Sequence, residues 1–260
     1  AELPFVEADG LRGAARWFDA VVLEPQKLLL ELIRWAESLG AVAMQQTEAV
    51  RLLRDGGAVH GLEVRDTGGG DLRELHAKVV INAAGHWAPA LARRFDMQID
   101  DAPRSSWAWN VLFDIPNDAK CAAAVSARRA GSQMFFMLPW RGLTLVGTGH
   151  ALMPNGAEEQ PVPDDKVNAF VGQVAEALPA LGLSESRIKR IYQGVLPAAN
   201  RAEMELTSRP MIVDHDENGA KGFYTVWGIK YTTARDIASA LMRKAFPDRS
   251  NVAVTYRRPQ

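Results

Sequence analysis

Residues 228–233, Gly228-Ile229-Lys230-Tyr231-Thr232-Thr233, set a glycine, a cation and three hydroxyls between an apolar, β-prone run and a segment of helical spacing. Strand, glycine turn and helix in that order gather several unpaired backbone N–H groups, and the helix dipole favours negative charge there. The chemistry on offer is anion binding, with Lys230 beside the turn as a mobile cation. Thr232 or Thr233 is expected to cap the helix, and Ile237, Leu241 and Ala245 to share its buried face. An ordinary strand-to-helix connection with a solvated lysine has the same spacing, so other segments must decide. A second junction, Ala83-Ala84-Gly85, follows the apolar Val79-Val80-Ile81, and small residues at a strand end let a ligand approach the backbone. Arg209 is a candidate anion-binding group. His150, after the run Thr144-Leu145-Val146-Gly147-Thr148-Gly149, is either a loop histidine or a pocket residue, and His86 reads as structural. No Gly-x-Ser-x-Gly, Walker A or His-Glu-x-x-His pattern occurs, so serine hydrolase, P-loop NTPase and zincin chemistry have no support.

The elements that must position these groups follow from periodicity. Residues 14–22 read as a strand. Pro25 opens a helix with Leu28, Leu29, Leu32, Ile33 and Ala36 as its buried stripe, and Gly40 ends it. Residues 41–44 and 49–53 read as strands, Asp55-Gly56-Gly57 as a hairpin turn and residues 59–64 as the returning strand. Residues 67–70 make a second turn, residues 75–82 a central strand buried on both faces, and residues 89–95 a short helix. From 105 to 149 the pattern becomes strands with short links, at 107–115, 132–138 and 143–147, which implies an antiparallel sheet. Asp164 or Asp165 is expected to cap a helix that buries Val167, Phe170, Val171, Val174 and Leu178. Residues 187–195 read as a strand leaving this layer, 211–213 as a short extended segment and 216–219 as a turn.

The fold class expected is therefore mixed α/β: an α/β portion at both ends of the chain, with an antiparallel sheet and one main helix inserted between. Ligands in two-part folds commonly lie where the parts meet. With 260 residues, 47% hydrophobic and 23% charged, the chain can bury a sizeable core, and its formal charge of −1 gives no reason to expect nucleic acid. Cys121 is alone and the five histidines have no metal-ligand spacing with it, so neither an intrachain disulfide nor a zinc site is expected. No apolar run approaches the ~20 residues of a membrane span. A soluble protein of a reducing compartment is the expectation.

Five segments in order carry a resemblance. These are residues 13–22, residues 79–88 (Val79-Val80-Ile81-Asn82-Ala83-Ala84-Gly85-His86-Trp87-Ala88), Phe136-Met137-Leu138-Pro139-Trp140 with residues 143–148, Gly194-Val195-Leu196-Pro197, and residues 228–235. Together they resemble the FAD-dependent glycerol-3-phosphate dehydrogenases within the D-amino-acid-oxidase-like flavoproteins, over residues 11–246. The resemblance implies an FAD/NAD(P)-binding Rossmann-like domain, made of residues 20–100 and 190–246. An antiparallel substrate domain would be made of 101–189 with 1–19, leaving 247–260 as a tail. It further implies FAD contact at Val50, Ala83, Ala84, Gly85, Trp87, Gly228, Ile229, Lys230, Tyr231 and Thr232. Lys230 would lie near the N1–C2 carbonyl edge of the ring, where hydride arrival at N5 leaves negative charge. Arg209 would grip a substrate phosphate, with Lys230 shared between flavin and substrate, and His150 is the candidate proton acceptor. A quinone acceptor is suggested, which would bring the intact enzyme from the cytoplasm to the inner face of a membrane.

The departures from the family pattern are specific. Its Gly-Gly-Lys is Gly228-Ile229-Lys230 here, its Gly-Pro-Trp is Gly85-His86-Trp87, and its arginine in Gly-Val-Arg-Pro is Leu196. Loss of that cation leaves room for another hydroxy acid, or for an amine or amino acid. The amino-terminal Gly-x-Gly-x-x-Gly that holds the FAD pyrophosphate occurs nowhere in the sequence. The chain is therefore expected to be a fragment whose partner is the missing amino-terminal segment of the same protein, binding FAD poorly or not at all by itself. A noncatalytic binding or assembly module is the expectation from another class.

Overall fold

The structure, a computed structural model, describes residues 5–6, 11, 13–100, 102, 104–127, 132–154, 160–198, 210–228 and 230–249. It divides into two compact units, one of Ala1–Trp17 with Pro103–Thr207 and one of Phe18–Ala102 with Ser208–Gln260.

The second unit begins with α1 (Pro25–Ser38), whose end is closed by Gly40 at φ 96°, with the Gly40 and Ala41 N–H groups donating to the Glu37 and Ala36 carbonyls at 2.9 and 3.0 Å. No residue of α1 is buried. Its expected stripe is at most partly covered: Leu28, Leu29 and Leu32 are 39, 44 and 45% exposed, Ala36 is exposed and Ile33 is half-buried. Residues 14–22 and 41–44 are not strands, since neither stretch pairs with another strand. A meander follows, β1 (Thr47–Asp55), β2 (Ala58–Asp66) and β3 (Arg73–His76) in that order. The β1–β2 turn uses Gly56 and Gly57 at φ 56° and 81°, values that suit glycine.

The run at 75–82 is split, because its first residues pair with β2 and its last form β4 (Val80–Asn82) in another sheet. Neither does β4 take the central place: Ile81 is 41% exposed and the order is β10–β11–β4, with β10 spanning Met211–Asp214 and β11 Phe223–Trp227. All five residues of β11 are buried, so the doubly covered strand is this one. On one face Phe223 packs with Val80, Leu52, Val59, Ala92 and Phe95, drawing in the meander and α2 (Ala88–Arg94). On the other, Tyr224 and Val226 pack with Leu241, Ile237 and Ala245. These three belong to α4 (Ala234–Ala245), as their helical spacing predicts.

The first unit is a five-stranded antiparallel sheet, in the order β6–β7–β8–β5–β9. Its strands are β5 (Ser105–Pro116), β6 (Ala123–Ser126), β7 (Met134–Trp140), β8 (Leu143–Leu152) and β9 (Ile188–Pro197). β9 does not leave the layer but pairs with β5 from Ser105–Pro197 to Phe113–Ile188, so residues 190–197 stand in this antiparallel sheet. α3 (Asp164–Ala177) covers one face by burying Val167, Phe170, Val171 and Val174 against Trp109, Val111, Phe135 and Val146. Each such side chain contributes about 1.5–3 kcal/mol. Pro163, not an aspartate, occupies the cap, and Asp164 and Asp165 stand in the first turn, where the dipole favours them.

Candidate functional site

In the second unit, β11 and β4 run parallel with Thr225 opposite Asn82, so the junctions that follow them leave the same end of the sheet. Residues 83–85 and the pair Gly228 and Lys230 thereby follow strand ends on the same side of the sheet, which sequence order alone does not give. Ala83, Gly85, Trp87, Gly228, Lys230, Tyr231 and Thr232 are exposed there. Gly85 has φ 60°, and a Cβ built on it would meet nothing within 4 Å, so its backbone faces open space. Gly228 serves differently. It is absent from the left-handed glycines, and a Cβ there would lie 2.5 Å from Ile237 Cδ1, so a larger residue would require the tip of that α4 side chain to shift.

Lys230 has an extended backbone at φ −137° and ψ 139° and is exposed, with no ion-pair partner among the described residues. Thr233 occupies the N-cap position of α4, as expected, but makes no side-chain capping bond: its hydroxyl donates back to the Lys230 carbonyl at 3.1 Å across the 3-10 turn Tyr231–Thr233. Ile229 and Arg209 lie outside the described residues. Val50 sits in the meander, half-buried at a bulge where the pairing steps from Ala49–Val64 to Arg51–Glu63.

Asn82 organises the turn and was not singled out by sequence. It is 4% exposed; its amide nitrogen donates to the Ala88 carbonyl at 2.8 Å and to Thr225 Oγ1 at 3.4 Å, while its oxygen accepts the Ala84 N–H at 3.2 Å. Its position between an apolar run and a glycine is the only signal the sequence offers, and asparagine is also a common turn residue.

His150 belongs to the first unit and lies in β8, not in a loop, opposite Ala108, which in turn faces Gly194. Trp107, Trp109, Val111 and Phe113 point into the core, so the alternate residues Ala108, Asn110 and Leu112 form the other face. Pairing adds His150, Tyr192 and Leu196 to that face, where Arg190 stacks over Tyr192 at 4.9 Å. Asn110 and Tyr192 could not be found from spacing, because their proximity depends on the β5–β9 register.

The profile described as "DAO: FAD dependent oxidoreductase" matches residues 1–234. The chain belongs to this family. It is 27% identical over 236 residues to "Glycerol-3-phosphate dehydrogenase 2" of Mycobacterium tuberculosis, covering 91% of this chain and 40% of that protein. It is 23% identical over 254 residues to the "Glycerol-3-phosphate dehydrogenase" of Synechocystis, covering 92% of this chain and 46% of that one. Among solved structures, the glycerol-3-phosphate dehydrogenase of Bacillus halodurans complexed with FAD superposes with a TM-score of 0.69 at 20% identity, over 88% of this chain and 44% of that one. The amino acid oxidase NikD superposes at 0.62 and 14% identity, over 89% and 58%. The chain thus spans less than half the length of the curated relatives it matches. A mixed α/β, Rossmann-like flavoprotein fold agrees with these neighbours.

The residues present fit one part of FAD. The open backbone at Gly85 and the exposed Gly228, Lys230, Tyr231 and Thr232 suit the nucleotide and ring sides. The pyrophosphate cradle, Gly-x-Gly-x-x-Gly, has no counterpart in the sequence.

Proposed function

We propose that this chain is the substrate-side and ring-side part of an FAD-dependent dehydrogenase that oxidises glycerol 3-phosphate or a related small hydroxy compound. The observation that carries the reading is that the Gly85 turn and the pair Gly228 and Lys230 follow strand ends on the same side of a parallel strand pair, where Lys230 has no ion-pair partner among the described residues. FAD, when bound, supplies the hydride acceptor. Lys230 and the backbone N–H groups entering α4 supply positive potential at the ring edge that gains charge, which favours the reduced form over the oxidised one. Arg209 holds the substrate phosphate as a charge-assisted pair worth about 1.5–3 kcal/mol. His150 accepts the hydroxyl proton.

The cradle comes from a strand–Gly-x-Gly-x-x-Gly–helix segment of the same protein, and the exposed leucines of α1 offer it a surface. Alone, the chain holds FAD weakly. A quinone acceptor and contact with a membrane surface belong to the intact enzyme; among the described residues no helix is long and apolar enough to cross a membrane.

A second reading is oxidation of an amine or amino acid. It is favoured by Leu196, which lies on the face of His150 and Tyr192 where the family pattern has a cation. One experiment separates the readings. A protein extended upstream of Ala1 is purified and mixed anaerobically with glycerol 3-phosphate or with amino acids. Loss of flavin absorbance with glycerol 3-phosphate alone supports the first reading, and loss with amino acids alone supports the second. An extended protein without flavin that cannot be reconstituted with FAD overturns both and leaves a noncatalytic module.

A further inference from the structure

The second unit contains a buried polar chain that runs from the 214–219 turn to the Gly85 turn. His215 is fully buried, stacked on Phe223 with ring centroids 4.8 Å apart, and its Nε2 lies 2.9 Å from Thr225 Oγ1. Thr225 is also fully buried and receives the Asn82 amide at 3.4 Å. At the outer end, Asn218 Nδ2 lies 3.3 Å from the Gln98 carbonyl and 3.5 Å from His215 Nδ1.

The direction of these bonds can be deduced. A carbonyl only accepts, so the group Asn218 turns toward Gln98 is its NH2, and the same nitrogen faces His215 Nδ1. Nδ1 is then the acceptor, and the neutral ring carries its proton on Nε2. That proton goes to Thr225 Oγ1, whose second lone pair takes the Asn82 amide hydrogen. With its amide nitrogen so fixed, Asn82 turns its oxygen toward the Ala84 N–H. His215, Thr225 and Asn82 are buried, so the bonds among them pair groups that a dry interior would otherwise leave unpaired.

We propose that Thr225, held by the Nε2–H form of His215, is a positioning residue for the Asn82-Ala83-Ala84-Gly85 turn, and that this hold sets the affinity of the turn for the FAD nucleotide. The first half stands on the hydrogen bonds alone; the second rests on the flavin reading above. Thr225→Val keeps the shape of the side chain but removes the acceptor of the His215 Nε2 proton and frees one side of Asn82.

The test uses hydrogen exchange and nitrogen NMR of the chain without FAD, then FAD titration of the extended protein. In the unaltered chain the His215 nitrogen shifts are expected to show the Nε2–H tautomer. In Thr225→Val the Ala84 amide is expected to exchange about tenfold faster, the amides of Tyr224 and Val226 to change less, and Thr225→Ser to restore protection. In the extended protein Thr225→Val should weaken FAD binding by a similar factor. An Nδ1–H tautomer, or an Ala84 amide that stays protected or changes only in step with its strand neighbours, overturns the hold. A loosened turn with unchanged FAD affinity leaves the hold standing and overturns its link to the cofactor. Failure of every variant, including the unaltered extended protein, to bind FAD overturns the flavin reading itself.

Discussion

The two units differ in how fully their elements cover one another. In the first, one sheet and one helix close around Trp107, Trp109, Phe113, Phe135, Met137 and Phe170, and each of these is at most 5% exposed. In the second, β11 is buried on both faces while α1 has no fully buried residue and β4 ends the sheet with Ile81 half in solvent. Parallel sheets are ordinarily covered on both faces and extended by further strands. The contrast is between an antiparallel unit whose main core α3 closes and an α/β unit whose first helix and sheet edge leave apolar side chains in solvent. The candidate cofactor junctions belong to the second.

The largest effect expected from this contrast is in the first unit. Phe170 stacks edge-on against Trp109 and Phe135, with centroids 5.9 and 5.6 Å apart. Phe170→Ala should cost about 3–5 kcal/mol in urea unfolding followed by tryptophan fluorescence, because the surrounding sheet cannot collapse into the space. A cost below about 1 kcal/mol would remove the basis for calling that core closed.

A pH effect comes next and belongs to the second unit. Burial pushes the His215 imidazole below its ordinary value, and only the neighbouring Asp214 carboxylate, itself 3.3 Å from Lys244, pulls the other way. The remaining neighbours, Thr225, Asn218 and Phe223, are uncharged. Above about 6.5, the ordinary histidine value, folded and unfolded chains are both neutral at this ring; as pH falls below it the unfolded chain takes a proton that the folded chain refuses. Stability contributed by this site is thus full at neutral pH and declines on acidification down to the folded pKa. The thermal midpoint of the unaltered chain should fall across that interval by more than that of His215→Gln. Equal slopes would show that His215 is not held neutral.

Much of this was legible in local patterns. The helical stripe of α3, the glycine end of α1, the hairpin at Gly56-Gly57 and the strand character of β11 follow from periodicity and turn chemistry within a short window. What could not be read depended on partners distant in sequence. The same logic that expects Leu28, Leu29 and Leu32 to be buried says nothing about what covers them. Whether residues 187–195 stay in the sheet depends on β5 offering an edge, and the centre of the α/β sheet passed from residues 79–81 to β11 because β10 pairs on its far side. At the site, the exposed glycines and Lys230 were visible in composition and spacing. Asn82, Thr225 and His215 were not, because their link spans residues 82 to 225.

A smaller effect tests how the meander is fastened to α2. Glu48 accepts from Arg94 at 2.9 Å and from Arg65 at 3.1 Å, and the Arg94 hydrogen bond, followed by that of Arg65, lowers its pKa. A lowered carboxylate pKa stabilises the fold above the unfolded value and loses that contribution as pH falls through the folded one. Glu48→Gln should therefore leave neutral stability nearly unchanged in high salt while flattening the acid limb of the unfolding profile. An unchanged acid limb would mean that α2 is held by apolar contacts alone.

The smallest effect is also the most direct test of the contrast. Leu29 is 44% exposed on a helix with no fully buried residue, so Leu29→Ala has little transfer energy to lose and alanine is the better helix former. In this chain the change should lie within about ±0.5 kcal/mol by urea unfolding. In a protein extended by a segment that packs on α1, the same substitution becomes a core truncation costing about 2–5 kcal/mol. The difference between the two measurements is the coverage that α1 gains from the added chain. Equal small values in both would show that its leucines stay in solvent and that the added segment packs elsewhere. A large cost already in this chain would mean that α1 has a partner within it, and the two units would then be alike in closure.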